Sequence, residues 1–127
     1  MAFLETATKC LKSPHDRIQL VEDSSKFDPS TIRDGVVIFF AAWSAPAHMA
    51  LESFTERLSE IRSEVPVWIL NVDTLTTSVD EKFGGAKHGY GETFFFRGSV
   101  QMDQLLSLEG NYGENSRTKL TKVFGDT

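Results

Sequence analysis

A serine and a histidine, Ser44 and His48, stand four residues apart at the start of a stretch with helical periodicity. At that spacing the two side chains share one side of a helix, where a histidine could activate the serine hydroxyl as a nucleophile. The sequence places no acidic residue to orient the imidazole, and the hydroxyl is equally suited to accept an amide hydrogen bond from the first helical turn. We therefore interpret Ser44 as a helix N-cap and His48 as a solvated residue of the first turn.

The other reactive side chains form no recognisable site. His15, His48 and His88 lack the paired His or Cys spacing of a zinc site, so we expect no metal and no cofactor. The single cysteine, Cys10, has only two nearby lysines to lower its pKa, and we expect it to be unreactive.

A glycine-rich stretch, residues 84–91, superficially looks like a phosphate-binding loop. It holds four glycines but lacks the G-x-x-x-x-G-K-[ST] order, and it does not directly follow a predicted strand. We interpret this stretch as a flexible connector.

Composition narrows the class of protein. The chain has 127 residues, 40% of them hydrophobic, which predicts one domain with its own core and argues against disorder. One cysteine excludes a disulfide scaffold, and 18 acidic against 13 basic residues disfavour a nucleic-acid partner. The longest apolar run, of about eight residues, is far short of a membrane-spanning helix, and the N-terminus lacks a signal-peptide pattern. We expect a cytoplasmic protein that does not associate with membranes.

The elements around Ser44 are the most clearly patterned. The unbroken run Val36–Phe40 is β-branched and aromatic, as in strands that are buried on both faces. After Ser44, apolar residues recur in steps of three and four from Ala47 to Ile61, which predicts a helix with Pro46 in its first turn. A buried strand therefore leads directly into an N-capped amphipathic helix.

Weaker patterns complete an α/β chain of order β-α-β-α-β-α-β-β-α. Strands separated by helices indicate parallel crossovers, and a terminal hairpin adds antiparallel strands to the same sheet. We assign residues 1–15 to an N-terminal extension with room for one short helix, and residues 16–127 to the domain. The further predicted elements are a strand at 17–21, a short helix at 30–33, a strand at 66–73, a helix capped at Ser78, a hairpin of 93–96 and 100–108, and a helix at 116–124.

This element order and the segment VVIFFAAWSAPAHM at 36–49 resemble the thioredoxin family, whose buried strand runs into a W-C-G-P-C-K-M turn and helix. Collinear matches flank it: 18–23 resembles the first strand of the family, 70–73 the end of the third, 82–84 the end of the next helix and 93–96 the fourth strand. The resemblance covers about residues 17–124. It implies a three-layer α/β/α fold around a central mixed sheet of four to five strands.

This sequence lacks the residues with which the thioredoxin family exchanges disulfides. Disulfide exchange needs one thiolate to attack and a second thiol to resolve the mixed disulfide. In the motif-equivalent turn Ser44-Ala45-Pro46-Ala47, serine and alanine stand at the two cysteine positions. Ile38 replaces the family's buried acid and Glu92 its cis-proline, before which a cis bond is unfavourable. These independent departures indicate a divergent, redox-inactive relative.

The resemblance also implies a place for binding. In this family the residue before the active-site turn, here Trp43, lies beside the surface where substrates dock. The candidate binding surface consists of Trp43, Ala45, Pro46, Gly91, Glu92 and Thr93. An alternative interpretation is that Trp43 only covers the sheet edge and the helix start.

We expect a protein that binds another protein or an extended peptide as a chaperone, adaptor or assembly factor, with the backbone of 91–93 pairing with the peptide. Two alternatives stay open. One is a thiol–disulfide oxidoreductase whose two cysteines were replaced by Ser44 and Ala47. The other is a stand-alone structural or inhibitor protein.

Overall fold

The computed structural model describes residues 2–12, 16–60, 65–106 and 112–125. In chain order these residues form α1 (Phe3–Cys10), β1 (Ile18–Val21), β2 (Gly35–Phe40), α2 (Ala45–Leu58), β3 (Val67–Asn71), α3 (Thr77–Glu81), β4 (Thr93–Arg97), β5 (Val100–Leu105) and α4 (Tyr112–Phe124).

The strands form one mixed sheet in the order β1-β3-β2-β4-β5. β3 is parallel to both β1 and β2, whereas β4 is antiparallel to β2 and to β5. Every residue of β2 is buried, as the unbroken apolar run predicts for a strand covered on both faces. The prediction of a mixed sheet of four to five strands is confirmed.

Aromatic side chains of adjacent residues fill the two sides of the sheet, because successive side chains of a strand point to opposite faces. Phe40 meets Phe3 of α1 at a centroid distance of 6.1 Å on one face. Phe39 packs against both Phe83 and Phe94 on the other face, at centroid distances of 5.1 and 4.8 Å. Helices α1 and α4 both pack against α2. The predicted three-layer α/β/α arrangement is confirmed.

Several boundaries differ from the predicted ones for local reasons. The segment between β1 and β2 forms only a 3₁₀ turn, Pro29–Thr31, because the Asp28 side chain caps it and a proline begins it. β3 ends at Asn71, whose side chain accepts a hydrogen bond from the Asp73 amide and starts a second 3₁₀ turn. α3 begins before Ser78, since Thr76 provides the cap.

Helix α1 lies inside the predicted N-terminal extension and packs on the core. Phe3, Ala7 and Cys10 are buried in the cluster that also contains β2 and α2. The predicted boundary between residues 15 and 16 falls at the edge of residues 13–15, which lie outside the described residues. Two predicted ends also lie outside them: Ile61 of the helix after Ser44, and 107–108 of the last strand. The division into extension and domain stays a prediction.

Candidate functional site

Ser44 joins β2 to α2 and binds two different segments. Its backbone is extended, and its Oγ accepts a hydrogen bond from the Ala47 amide at 3.4 Å, so its predicted role as N-cap is confirmed. The same hydroxyl donates to the carbonyl oxygen of Gly89 at 2.6 Å. This second bond ties the helix start to the glycine-rich loop, and no local sequence pattern indicated it.

The His48 ring is held by contacts with residues other than Ser44. Its Nε2 donates to the carbonyl oxygen of Ala42 at 2.7 Å, and its ring stacks on Phe40 at 5.4 Å. The ring is therefore half-buried, not solvated as predicted from its place in the first turn. Ser44 and His48 each have other partners, so this arrangement does not make a Ser–His nucleophile.

Trp43 is 65% exposed at the end of the sheet, and two contacts hold it in place. Its indole Nε1 donates to Oδ1 of Asp73 at 2.9 Å. Its ring covers Gly89 so closely that a methyl group added to this glycine would lie 2.8 Å from the ring. The indole is thus fixed in orientation while most of the side chain stays exposed to solvent.

The buried carboxylate of Glu92 organises the end of the glycine-rich loop. It accepts hydrogen bonds from three successive backbone amides, those of His88 and Gly89 at 3.2 Å and that of Tyr90 at 2.8 Å. The Glu92 carbonyl oxygen accepts from the Phe39 amide of β2 at 2.8 Å. Residues 88–90 are therefore anchored to the sheet, which differs from the flexible connector that the glycines predict.

The loop approaches α2 through Gly91, whose φ is +83°. A methyl group added there would lie 2.5 Å from Cβ of Ala50, so only glycine allows this approach without displacement. The peptide bonds of the described residues are all trans, including the one before Glu92. Loop and helix start form one packed unit.

The structure brings the six predicted surface residues to one end of the sheet but does not expose all of them. Trp43 and Ala45 are exposed and Pro46 is half-buried, whereas Gly91, Glu92 and Thr93 are buried. Two exposed apolar residues that sequence reasoning missed lie near them: Met49, one helical turn after Ala45, and Tyr90, next to Gly89. We call Trp43, Ala45, Pro46, Met49 and Tyr90 the Trp43 surface.

The one thiol lies elsewhere. Cys10 is buried at the end of α1, and its carbonyl oxygen accepts a hydrogen bond from the Thr55 hydroxyl. Thr55 lies eight residues after Ala47, so this contact is about 12 Å along α2 from the Ser44–Ala47 turn. Burial raises the pKa of the Cys10 thiol, the charge of Glu52 raises it further, and Lys12 only partly opposes them. A chain with one cysteine cannot form an internal disulfide.

Ile38 is fully buried in β2 and brings no ionisable group to the site. Within the described ranges, no three His, Cys, Asp or Glu side chains lie close enough together to hold a metal ion. None of the helices in the part of the chain that the structure covers has the length and apolar character needed to cross a membrane.

Solved thioredoxins have a similar fold. Thioredoxin O2 from Arabidopsis thaliana in the oxidized state matches 89% of this chain and 99% of its own with a TM-score of 0.69 and 14% identity. The Malassezia sympodialis thioredoxin Mala s 13 matches 87% and 93% with a TM-score of 0.64 and 18% identity. Thioredoxin f2 from Chlamydomonas reinhardtii matches 87% and 98% with a TM-score of 0.64 and 16% identity.

No protein-family model and no curated protein matches the chain. The resemblance seen in the sequence is confirmed at the level of the fold. The chain has a thioredoxin-like fold, a single cysteine and no C-x-x-C motif.

Proposed function

Starting from a thioredoxin-like fold with no thiol in the Ser44–Ala47 turn, we propose that this protein does not exchange disulfides and instead binds another protein or an extended peptide, as a chaperone, adaptor or assembly factor. The observation that carries the proposal is the Trp43 side chain, 65% exposed yet held by Asp73 and Gly89. An exposed tryptophan with a fixed orientation is well suited to anchor a partner.

Preorganisation is the physical reason why a tryptophan with a fixed orientation suits partner binding. A side chain that is already ordered loses little conformational entropy when a partner covers it, so more of the burial energy appears as affinity. Ala45 and Met49 extend the apolar surface along the first turns of α2. Aromatic and methionine side chains are enriched where proteins bind one another.

The charges near Trp43 favour a partner with basic residues. Asp73 accepts the indole hydrogen bond and is itself exposed, and Asn71 connects β3 to the exposed Glu22 at the end of β1 through a 3.0 Å hydrogen bond. The carboxylate of Asp73 thus borders the tryptophan on the side of β3, and Glu22 follows the neighbouring strand β1. A segment with an apolar side chain for Trp43 and a neighbouring lysine or arginine would match both features.

The absence of a thiol from the Ser44–Ala47 turn supports a non-redox role. A serine hydroxyl is hardly ionised at neutral pH, and the Ser44 proton is directed to the Gly89 carbonyl oxygen, while Ala47 has no reactive group. Ser44 also holds the loop closed. Serine at this position therefore has a structural use of its own.

The proposed binding role is tested by substituting Trp43. We expect Trp43→Ala to weaken the affinity for a partner that is affinity-purified from the native source, identified and titrated in pure form, by at least about tenfold. The free energy of unfolding should change by less than about 1 kcal/mol, because Trp43 is mostly exposed. Met102→Ala on β5, also exposed, is the matched control. Unchanged affinity of Trp43→Ala would contradict the proposal, and the absence of any partner would favour the stand-alone alternative.

The oxidoreductase alternative has its own test. Cysteine codons at 44 and 47 in the parent gene would support it directly. Restoring Ser44→Cys together with Ala47→Cys should yield only weak reduction of a protein disulfide, since Ile38 and Glu92 remain in place of an acid and a proline. Robust turnover by the double variant would count against the binding role.

A further inference from the structure

A pocket of about 420 Å³ lies at the end of the sheet opposite the Trp43 surface. It forms where the parallel strands begin: Arg17 precedes β1, Arg33 and Asp34 precede β2, and Arg97 ends β4. The chain has six arginines, and three of them line this one opening although the net charge of the protein is −5. With the carboxylate of Asp34 also in the lining, the pocket still carries a local excess of positive charge.

The backbone around the pocket is braced by hydrogen bonds between distant segments. The Ser99 amide donates to the Arg33 carbonyl oxygen at 2.8 Å, and the Gly98 amide donates to Oδ1 of Asp34 at 2.9 Å. Arg97 donates from Nη1 to the Val123 carbonyl oxygen at the end of α4, at 2.7 Å. These bonds fix the backbone at Arg33 and the side chain of Arg97, and Asp34 already uses one carboxylate oxygen.

Guanidinium groups have the geometry to bind phosphate oxygens in pairs, and three of them around one opening match a group with several anionic oxygens. The pocket is larger than a phosphate ion needs and falls in the size range of small-molecule sites. Pro66 and Phe124 form an apolar part of its wall. An organic group attached to the phosphate would pack there.

We infer that this arginine pocket binds a small organic phosphate, with the phosphate on the guanidinium groups and the organic part against Pro66 and Phe124. The site is independent of the Trp43 surface, since it lies at the other end of the strands. Its affinity falls with rising salt because the arginines are solvent-exposed.

Calorimetric titration of the full chain with phenyl phosphate at low salt tests the inference. Inorganic phosphate lacks the ring, and benzoate keeps the ring but replaces the phosphate. We expect saturable binding of one phenyl phosphate, tighter than that of either control ligand. Absence of saturation up to about 10 mM, or equal binding of benzoate, would overturn the inference.

Arg33→Gln removes one guanidinium and keeps the backbone bond to Ser99; we expect about tenfold weaker binding of phenyl phosphate. Arg117→Gln is the matched control, because it makes the same charge change on the outer surface, where Arg117 pairs with Glu60, and should bind within about twofold of the wild type. Equal losses in both variants would refute a local site.

Chemical-shift changes give a readout that needs no variant. Phenyl phosphate should shift the wild-type amides of Arg33 and Gly98 and leave that of Ser44 unchanged. Sedimentation of the protein with vesicles of phosphatidylcholine and phosphatidic acid tests whether the site instead binds a lipid headgroup. If the protein sediments with these vesicles but does not bind phenyl phosphate, the small-molecule site is contradicted.

Discussion

Glu92 shows how a single buried carboxylate can organise a loop made largely of glycine. Three consecutive amide groups point at it, and without it they would have no acceptor in the closed loop. Burying a charge is unfavourable in isolation, but multiple hydrogen bonds to backbone amides compensate for the lost hydration. Glu92, which the sequence resemblance aligns with a cis-proline, thus has a structural role.

We predict that Glu92→Ala lowers the free energy of unfolding by about 2–4 kcal/mol, because three amide donors lose their acceptor in or near the core. Glu92→Gln keeps one acceptor oxygen and the side-chain size, so its loss should be smaller. Urea denaturation measures both. Glu56→Ala, on the exposed side of α2, is the control and should stay within about 0.5 kcal/mol of the wild type. A Glu92→Ala protein as stable as this control would contradict the structural role.

At the level of elements, the start of α2 and the loop at 88–91 behave as one unit. The Ser44 hydroxyl, the Trp43 ring and the close approach of Gly91 to Ala50 all connect them. The glycines of this loop offer no side chains to pack. Its order therefore depends on contact with the helix together with the three amide hydrogen bonds to Glu92.

The contact between Gly91 and Ala50 leads to a second prediction. Gly91→Ala should lower the free energy of unfolding by about 2–4 kcal/mol, because the added methyl group meets Ala50 and the backbone is in the left-handed region. Gly84→Ala has a similar φ of +92° with nothing within 4 Å, so it should lose only about 1 kcal/mol. Thermal or urea unfolding of the pair isolates the contribution of close packing. Equal losses would mean that the backbone conformation alone matters.

Helix α1 provides the third prediction, which bears on whether residues 1–15 are separable from the domain. Phe3 is 5% exposed and packs on Phe40, so Phe3→Ala should lower the free energy of unfolding by about 3–5 kcal/mol. Leu4→Ala changes an exposed neighbour on the same helix and is the control. If the two variants unfold alike, α1 is an independent extension.

For the whole molecule, stability against acid depends in part on a contact between β5 and α4. Asp103 of β5 accepts hydrogen bonds from Lys119 at 2.7 Å and Lys122 at 3.3 Å. Desolvation by burial raises the pKa of the Asp103 carboxyl, but the bonds from Lys119, the Gln104 amide and Lys122 outweigh it, so the pKa lies below its ordinary value.

A lowered pKa means that this contribution is fully present above the unfolded-state value, about 3.9, and is lost as pH falls through the folded-state value. Asp103→Asn should therefore reduce the free energy of unfolding at pH 7 by about 1 kcal/mol, with a smaller difference from the wild type below about pH 4. Urea unfolding at several pH values measures this. Glu81→Gln, an exposed change of the same charge, is the control. A difference that persists unchanged at pH 3 would refute the assignment.

The amino-acid sequence by itself determined the layers of this protein and its lack of dithiol chemistry. Hydrophobic periodicity placed β2 and α2, and the residue type and position of Ser44 identified it as a cap. The sequence also shows serine and alanine where the motif of the thioredoxin family has its two cysteines. These features depend on residues close together in the chain, where local geometry follows from residue type.

Tertiary structure alone decided which residues of the site are exposed. Trp43 and Asp73, Ser44 and Gly89, and the three pocket arginines are far apart in sequence, so only the packed fold brings them together. Glu92 illustrates the limit. A charged residue directly after a glycine-rich stretch is typical of an exposed position, yet hydrogen bonds from three amides make its burial favourable. A buried polar group depends on the geometry of its partners, and hydrophobic patterns carry no information about that geometry.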